Sequence, residues 1–306
     1  MKKILVTGGA GFIGSNLVED LLKKNYSVTI LDNFDSGYMK NLSEFKDQIQ
    51  VINGDIRDNN LVDKLVKNTS CVFHLAAMVS VPESIEDPDK CFDINVEGSL
   101  NIIEACQKYN SKFIFASSAA VYGEDKTPIK TEEIITEPIS PYGKSKLTIE
   151  RICELLSYKE NFDYACFRNF NVYGPKQDVA SSYAAVIPKF ITNAINSKDL
   201  IIFGDGEQTR DFIYVKDICD AYILAYENNI NGVYNLGCSD VESVNSLAKR
   251  IISKINSNLK IDYKPERAGD IKHSKASAEK YYNISNWKPK VSLENGIKKT
   301  IEYYKK

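Results

Sequence analysis

This sequence predicts an α/β chain: a doubly wound parallel sheet with a smaller, partly interleaved C-terminal lobe. Three observations carry that expectation. Short apolar runs end in glycine or aspartate, stretches of helical spacing separate them, and the pattern changes after Asn169. The 306 residues exceed most single domains, so two units or one large α/β unit are expected. A chain that is 43% hydrophobic and 26% charged is neither disordered nor collagen-like. Its net charge of −2 leaves no basic field for nucleic acid.

Each element has a local reason. Ile4-Leu5-Val6 is fully apolar, as a strand buried on both faces must be. A glycine-rich turn follows, and Asn16 to Lys24 then places Leu17, Leu21 and Leu22 on one helical side. Val28–Leu31 reads as a second strand ending at Asp32, Val51-Ile52 as a third ending at Gly54-Asp55, and Cys71–Leu75 as a fourth. Asn95 to Tyr109 reads as a helix, Lys112–Phe115 as a strand, Tyr142 to Ser157 as a helix and Tyr164–Arg168 as a sixth strand. Beyond Asn169 a proline-bearing helix (Ser182–Ile195), a short strand (Leu200–Phe203) and helices near 217–227 and 245–255 suggest a second lobe. The expected division is 1–168 and 169–306, with roughly 204–236 returning to the first part.

Several chemistries lack material. The only histidines are His74 and His273, too few for a histidine metal site or a Ser-His-Asp triad, and no metal is expected. His74 reads as a hydrogen-bonded core residue and His273 as a loop residue. Seven scattered cysteines without a C-x-x-C pair read as reduced thiols of a cytoplasmic protein. No apolar run approaches the ~18 residues of a membrane span, and the opening residues are too short in apolar length for a secretory signal core. The aromatic tail from Trp287 to Tyr304 reads as packing on the core.

Gly9-Ala10-Gly11-Phe12-Ile13-Gly14 fits G-x-G-x-x-G; Gly8, Gly11 and Gly14 fit G-x-x-G-x-x-G. Either pattern alone is weak. Here it follows a strand, opens a helix, and precedes Asp32 at the end of the next strand. Glycine lets backbone approach a pyrophosphate, and the helix start offers free N–H groups and the positive end of its dipole. A carboxylate at Asp32 would bind ribose hydroxyls and repel a 2′-phosphate, which favours NAD over NADP. The first unit therefore reads as a Rossmann-type NAD-binding domain.

Tyr142 and Lys146 stand at i and i+4 on one helix face. A nearby ammonium is expected to pull the phenol pKa down from about 10, making a general base. Spacing alone proves little, since chance predicts about two Y-x-x-x-K pairs in this composition and there are two. The other pair, Tyr122 and Lys126, lies in a turn-like stretch before Pro128, whereas Pro141 and Tyr142 start a helix. Ser117-Ser118, just past a strand, supplies a hydroxyl at the sheet edge where ligands gather.

In order along the chain stand TGGAGFIG, LDN (31–33), GDI (54–56), HLAA (74–77), ASSAAVYG (116–123), SPYGKSK (140–146) and RNFNVYGP (168–175). Together they resemble the extended short-chain dehydrogenase/reductase family. FGDGEQTRDFIYVKD (203–217) and RAGD (267–270) narrow the resemblance to nucleotide-sugar enzymes, most closely the UDP-glucose/UDP-N-acetylglucosamine 4-epimerases. SVPESIEDP (80–88) and SSYAAVIPKF (181–190) resemble the N-acetylhexosamine-active branch.

The resemblance implies roles. Gly8, Gly11, Phe12 and Ile13 would hold the pyrophosphate of NAD, Asp32 and Asn33 its adenosine ribose, and Asp55 and Ile56 the adenine. Leu75, Ala76, Ala77 and Asn95 would line the cofactor channel. Ser118, Tyr142 and Lys146 match the catalytic set. Asn171, Arg210, Arg267 and Asp270 would grip UDP, with Ala185, Val186, Ile201 and Phe203 around uracil and its ribose. A guanidinium fork suits phosphate oxygens. The function implied is 4-epimerisation of UDP-hexoses through a 4-keto sugar. Helices 95–109 and 142–157 would pair two copies into a homodimer.

Departures from the pattern select among relatives. Ala119-Ala120 follow Ser118 where related dehydratases carry Asp-Glu and decarboxylases a nearby Glu, and alanine transfers no proton. Asn169 stands where the epimerases usually have tyrosine. Ser274 stands where epimerases restricted to unacetylated hexoses have a bulky tyrosine, so room for a 2-acetamido group is expected. The alternatives are a UDP-glucuronate 4-epimerase or reductase, a non-catalytic NAD-binding protein, and an alcohol dehydrogenase.

Overall fold

The computed structural model describes residues 1–179, 185–266 and 272–305. Strand β1 (Lys3–Thr7) feeds helix α1 (Phe12–Lys23) and β2 (Ser27–Asp32). A 3₁₀ stretch (Met39–Gln48) leads to β3 (Ile49–Asn53), α2 (Asn59–Val66) and β4 (Cys71–His74). Next come α3 (Val81–Glu86), α4 (Pro88–Phe92), a π-turn at Asp93–Glu97 and α5 (Gly98–Tyr109). Then follow β5 (Lys112–Ser118), a 3₁₀ turn (Ala119–Tyr122), α6 (Pro141–Glu160) and β6 (Tyr164–Asn169). The remainder holds β7 (Asn171–Tyr173), α7 (Val186–Ile195), β8 (Leu200–Phe203), β9 (Thr209–Arg210), β10 (Phe212–Tyr214), α8 (Val215–Glu227) and β11 (Gly232–Leu236). The chain ends with β12 (Glu242–Ser243), α9 (Val244–Ile255), β13 (Ile261–Lys264), β14 (His273–Ser274), α10 (Glu279–Ser285) and α11 (Leu293–Tyr304).

Seven strands form one sheet in the order β11-β6-β5-β4-β1-β2-β3, every neighbour parallel. The order reverses at β1, which pairs with β2 on one side and β4 on the other. A ligand crevice opens at the carboxyl ends of strands at such a switch. Leu17, Leu21, Ile218 and Tyr222 of α1 and α8 cover one face. Val62, Ile102 and Ile149 of α2, α5 and α6 cover the other. Helices on both faces explain why the strands are apolar throughout.

The chain leaves this layer after β6 and comes back to it: β11 pairs with β6, and α8 packs on α1. The second lobe has its own core of Ile187, Phe190, Leu200, Leu247, Ile251 and Ile297. The tail serves both cores. Tyr281 and Trp287 join the first, while Ile297 and Ile301 join the second.

Two details differ from the sequence expectation. The helix expected from Asn95 begins as a π-turn and becomes α-helical only at Gly98. The short helices α3 and α4 went unforeseen, although Ser80 and Asp87 cap them and Pro82 and Pro88 open them. Part of the expected helix 182–195 falls on residues 182–184, outside the described residues; the described part starts at Val186. The apolar residues Ile102, Ile103, Ala105 and Ile149 are spent on the chain's own sheet.

Tyr281 shows how the aromatic tail works. It is fully buried, stands 5.2 Å from the ring centres of Phe167 and Tyr234, and donates to the Ala221 carbonyl at 2.7 Å. Tyr281→Ala is expected to cost ~3–5 kcal/mol by urea unfolding; a loss under about 1 kcal/mol would show that this packing contributes little.

Candidate active site

The crevice is built first from backbone. After β1 the chain turns through Gly8 at φ +68°, a conformation that side chains resist. A Cβ at Gly8 would lie 2.7 Å from the Ala76 nitrogen, and one at Gly14 would lie 2.2 Å from the Gly8 carbonyl oxygen. Helix α1 then starts at Phe12 with Gly11 as its cap and no capping side chain. The first-turn N–H groups of Phe12 and Ile13 therefore stand where a pyrophosphate is favoured. Asp32 closes the end of β2. Its Oδ2 accepts from the Ala10 N–H at 2.8 Å and its Oδ1 from the Phe34 N–H at 2.9 Å. Burial pushes its pKa up while those two hydrogen bonds oppose the shift. Each oxygen keeps a lone pair for a ribose hydroxyl. Asn33 donates to Asp55 at 3.3 Å, and the Arg57 guanidinium, with smaller help from Asn33, holds Asp55 down at about 2. Ile56 is buried against Gly98. A glycine cradle, an uncapped helix start and a carboxylate at the next strand end fit NAD.

A buried polar chain joins this loop to helix α6. Thr7 Oγ1 accepts from the Leu75 and Ala76 N–H groups, both at 3.2 Å, so its own proton goes to His74 Nδ1 at 2.7 Å. Neutral His74 then donates from Nε2 to Ser99 at 2.8 Å, and Ser99 donates to the Asn95 carbonyl at 2.6 Å. Burial, and secondarily the Lys146 charge, hold His74 down at about 3, which suits this neutral role. The Asn95 side chain pairs twice with the Met78 backbone and donates to Ser145 at 3.0 Å; Ser145 donates to the Tyr142 carbonyl at 2.8 Å. Ala77 precedes Met78 on the same stretch. The π-turn thus aims Asn95 between cofactor loop and helix α6, a common use of such turns.

Helix α6 brings Tyr142 and Lys146 to the crevice. Ser140 caps it by accepting from the Gly143 N–H at 3.1 Å. Ser118, the last residue of β5, is near enough to the Tyr142 phenol to draw its pKa down, and its hydroxyl accepts from the Ala120 N–H at 3.1 Å. Lys146 is buried, its ammonium 5.8 Å from the Tyr142 ring centre and 4.6 Å from that of Phe115. Burial lowers its pKa to about 8. One expectation is overturned. Burial raises the Tyr142 pKa, Ser118 is the group that lowers it, and Lys146 is not among the groups that shift it. The protein's own groups keep Tyr142 a neutral phenol.

The second lobe adds a cavity of about 290 Å³. Asn171, Ala185, Val186, Ile201, Phe203 and Arg210 all line it. Phe190, Gln208 and Phe212 line it too and were not foreseen. Ser274 does not line it but pairs in register with Arg210 between β14 and β9. Arg267 and Asp270 lie outside the described residues. Asp211 was also missed. Fully buried, it accepts from the N–H groups of Cys238, Ser239 and Ala276 at 2.7, 3.0 and 3.0 Å, and burial lifts its pKa to about 6. Its partners are backbone groups far along the chain, which no local spacing reveals. No cluster of metal-ligating side chains exists among the described residues, and none of their helices is long and apolar enough to cross a membrane.

With this geometry in place, the comparisons decide the family. Residues 4–237 match the profile of the NAD dependent epimerase/dehydratase family. The chain belongs to that family. It is an enzyme with NAD as cofactor. A Methanocaldococcus jannaschii protein, provisionally named a UDP-glucose 4-epimerase, is 40% identical over 99% of this chain and 98% of its own length. The UDP-N-acetyl-alpha-D-glucosaminuronate decarboxylase of Bacillus cytotoxicus is 36% identical over 99% and 98%. Among solved structures, the UDP-N-acetylglucosamine 4-epimerase of Methanobrevibacter ruminantium, in complex with UDP-N-acetylmuramic acid, superposes with a TM-score of 0.95 at 40% identity, covering 99% of this chain and 98% of that one. The Thermus thermophilus UDP-glucose 4-epimerase in complex with NAD gives 0.91 at 31% identity, covering 99% of both.

Two outcomes test the site. Gly14→Ala should open the loop and strip NAD from the purified protein, read as bound nucleotide per chain; full NAD content would show that the 2.2 Å approach is relieved cheaply. Lys146 has a folded pKa near 8 against an ordinary 10.5, so between these values the unfolded chain binds the extra proton. Stability against urea should therefore gain a contribution as pH rises through this window, and Lys146→Met should lose that contribution.

Proposed function

We propose that this enzyme is a 4-epimerase of UDP-hexoses, UDP-N-acetylglucosamine and UDP-N-acetylgalactosamine included, working through a transient 4-keto sugar. The observation that carries the reading is the meeting of Ser118 and Tyr142 at the sheet's carboxyl edge, followed by Ala119 and Ala120, which offer no proton-transfer group. Dehydration or decarboxylation needs a further acid or base, and the two residues after Ser118 supply none. UDP would lie in the second-lobe cavity, with Asn171 and Arg210 at its phosphates and Ala185, Val186, Ile201 and Phe203 around uridine; Arg267 and Asp270 belong to the same proposal.

Tyr142 takes the proton of the sugar 4′-hydroxyl while Ser118 holds that oxygen by a second hydrogen bond. Bound NAD supplies the acceptor, and later the donor, of the hydrogen on C4. Ser118 lowers the phenol pKa from its raised position, and the positive charge of a bound nicotinamide would lower it further. The 4-keto sugar turns about its phosphate link and shows its other face, and Tyr142 returns the proton. NAD is unchanged over the cycle. Ser274, beside Arg210, leaves space for the 2-acetamido group. Two copies would pair through α5 and α6, where Leu155 and Tyr158 project outward. The seven free thiols suit a reducing cytoplasm.

Incubation with UDP-N-acetylglucosamine, UDP-glucose and UDP-glucuronate separately, with NMR of C4, should show inversion of the two hexoses without net NADH. Loss of CO₂ or water from any of them would end the epimerase reading. Tyr142→Phe should cost ~10²–10⁴-fold in rate. Ser274→Tyr should lower the preference for the acetylated sugar by about tenfold or more; an unchanged preference would remove Ser274 from that role.

A further inference from the structure

Tyr142, Lys146 and Glu150 follow one another at i, i+4 and i+8 along α6, on one face of the helix. Glu150 is fully buried, and no step of the reaction uses it. Its carboxylate is held from two strands. Arg168, on β6, donates from Nη2 to Oε2 at 2.8 Å and from Nε to both oxygens at 3.1 and 3.2 Å. Ser117, on β5 and next to Ser118, donates its hydroxyl to Oε1. Arg168 itself is held by Tyr122, whose ring lies 5.0 Å below the guanidinium carbon and whose hydroxyl accepts from Nη1 at 3.0 Å. Tyr122 then donates to Asn235 of β11 at 2.7 Å. Asn169 donates to the Ser117 carbonyl at 3.4 Å and to Tyr222 of α8 at 2.6 Å, closing the group.

We propose that Glu150 is a positioning residue for catalysis: clamped by Arg168 and Ser117, it fixes the height of α6 over β5 and so the place of Tyr142 and Lys146 relative to Ser118. The inference rests on the catalytic roles assigned under the proposed function. The physical reason is that two of the reacting groups come from a helix and one from a strand, and packing of apolar faces tolerates sliding. A bidentate, charge-assisted contact does not, because its geometry is lost within a fraction of an ångström. Glu150 is also a negative charge one turn from Lys146, which favours the protonated lysine.

Ser117→Ala and the paired variant Glu150→Met with Arg168→Met test it in the NAD-loaded enzyme. The paired variant replaces both charges, so no lone buried charge remains to block folding. Both are expected to fold and to lower kcat, the first about tenfold and the second up to about a hundredfold, as misplacement of reacting groups does. KM for the UDP-hexose should stay within about threefold of wild type in both, because the UDP cavity is in the other lobe. A folded pair of variants with wild-type kcat, or with the loss confined to KM, overturns the clamp. A second readout needs no substrate. Ser118 is the group that lowers the Tyr142 pKa, so Ser117→Ala, by loosening its neighbour, should move the phenol's ionisation to higher pH by about half a unit or more, read at 295 nm against a Tyr142→Phe reference. An unmoved titration counts against the clamp even if the wild type turns over none of the sugars offered, which would itself sink only the substrate reading.

Discussion

The architecture of the crevice depends on one close approach, that of Gly8 to the backbone of Leu75 and Ala76. Strand β1 pairs on both sides, so the loops leaving β1 and β4 emerge next to each other at the same sheet edge. They can pass only because one has no side chain there. Thr7 uses the same proximity by collecting both N–H groups of the second loop. The backbone surface that would meet a pyrophosphate and the chain that leads to Asn95 and α6 therefore share one origin.

Burial sets the electrostatics of the site more than pairing does. Lys146 loses basicity and Tyr142 loses acidity for the same reason: each is removed from water, and each charged form pays for it. A neutral phenol and a weakly held ammonium form a poised state. A positive cofactor ring would tip it towards phenolate. The buried Glu150–Arg168 pair contributes little net stability by the general behaviour of such pairs. It ties α6, β5 and β6 together beside Ser118 and Lys146.

The Rossmann-type sheet was legible because its signals are local. Apolar runs bounded by Gly8, Asp32 and Gly54, and helices between them, need no tertiary information. The Tyr142–Lys146 spacing was equally legible, and all six expected residues of the uridine site that fall within the described part line one cavity. The helix caps at Ser80 and Asp87 were readable but passed over, because helices of five or six residues show no periodicity. The roles of Asp211 and Glu150 were not readable. The first bonds backbone groups up to 65 residues away, and the second bonds side chains on two other strands.

By itself, the sequence determined the order of strands and helices, the thin loop after β1, the acid at the end of β2 and the presence of a tyrosine one helical turn before a lysine. Each is a property of neighbours within about twenty residues, where steric and hydrogen-bonding preferences act directly. Tertiary structure alone decided how the phenol is poised, because its pKa follows from how deeply α6 is buried and from which hydroxyl meets it. It also decided that Tyr281 and Trp287 of the tail join the first core while α11 closes the second, because such packing joins apolar faces whose partners are far apart in the chain.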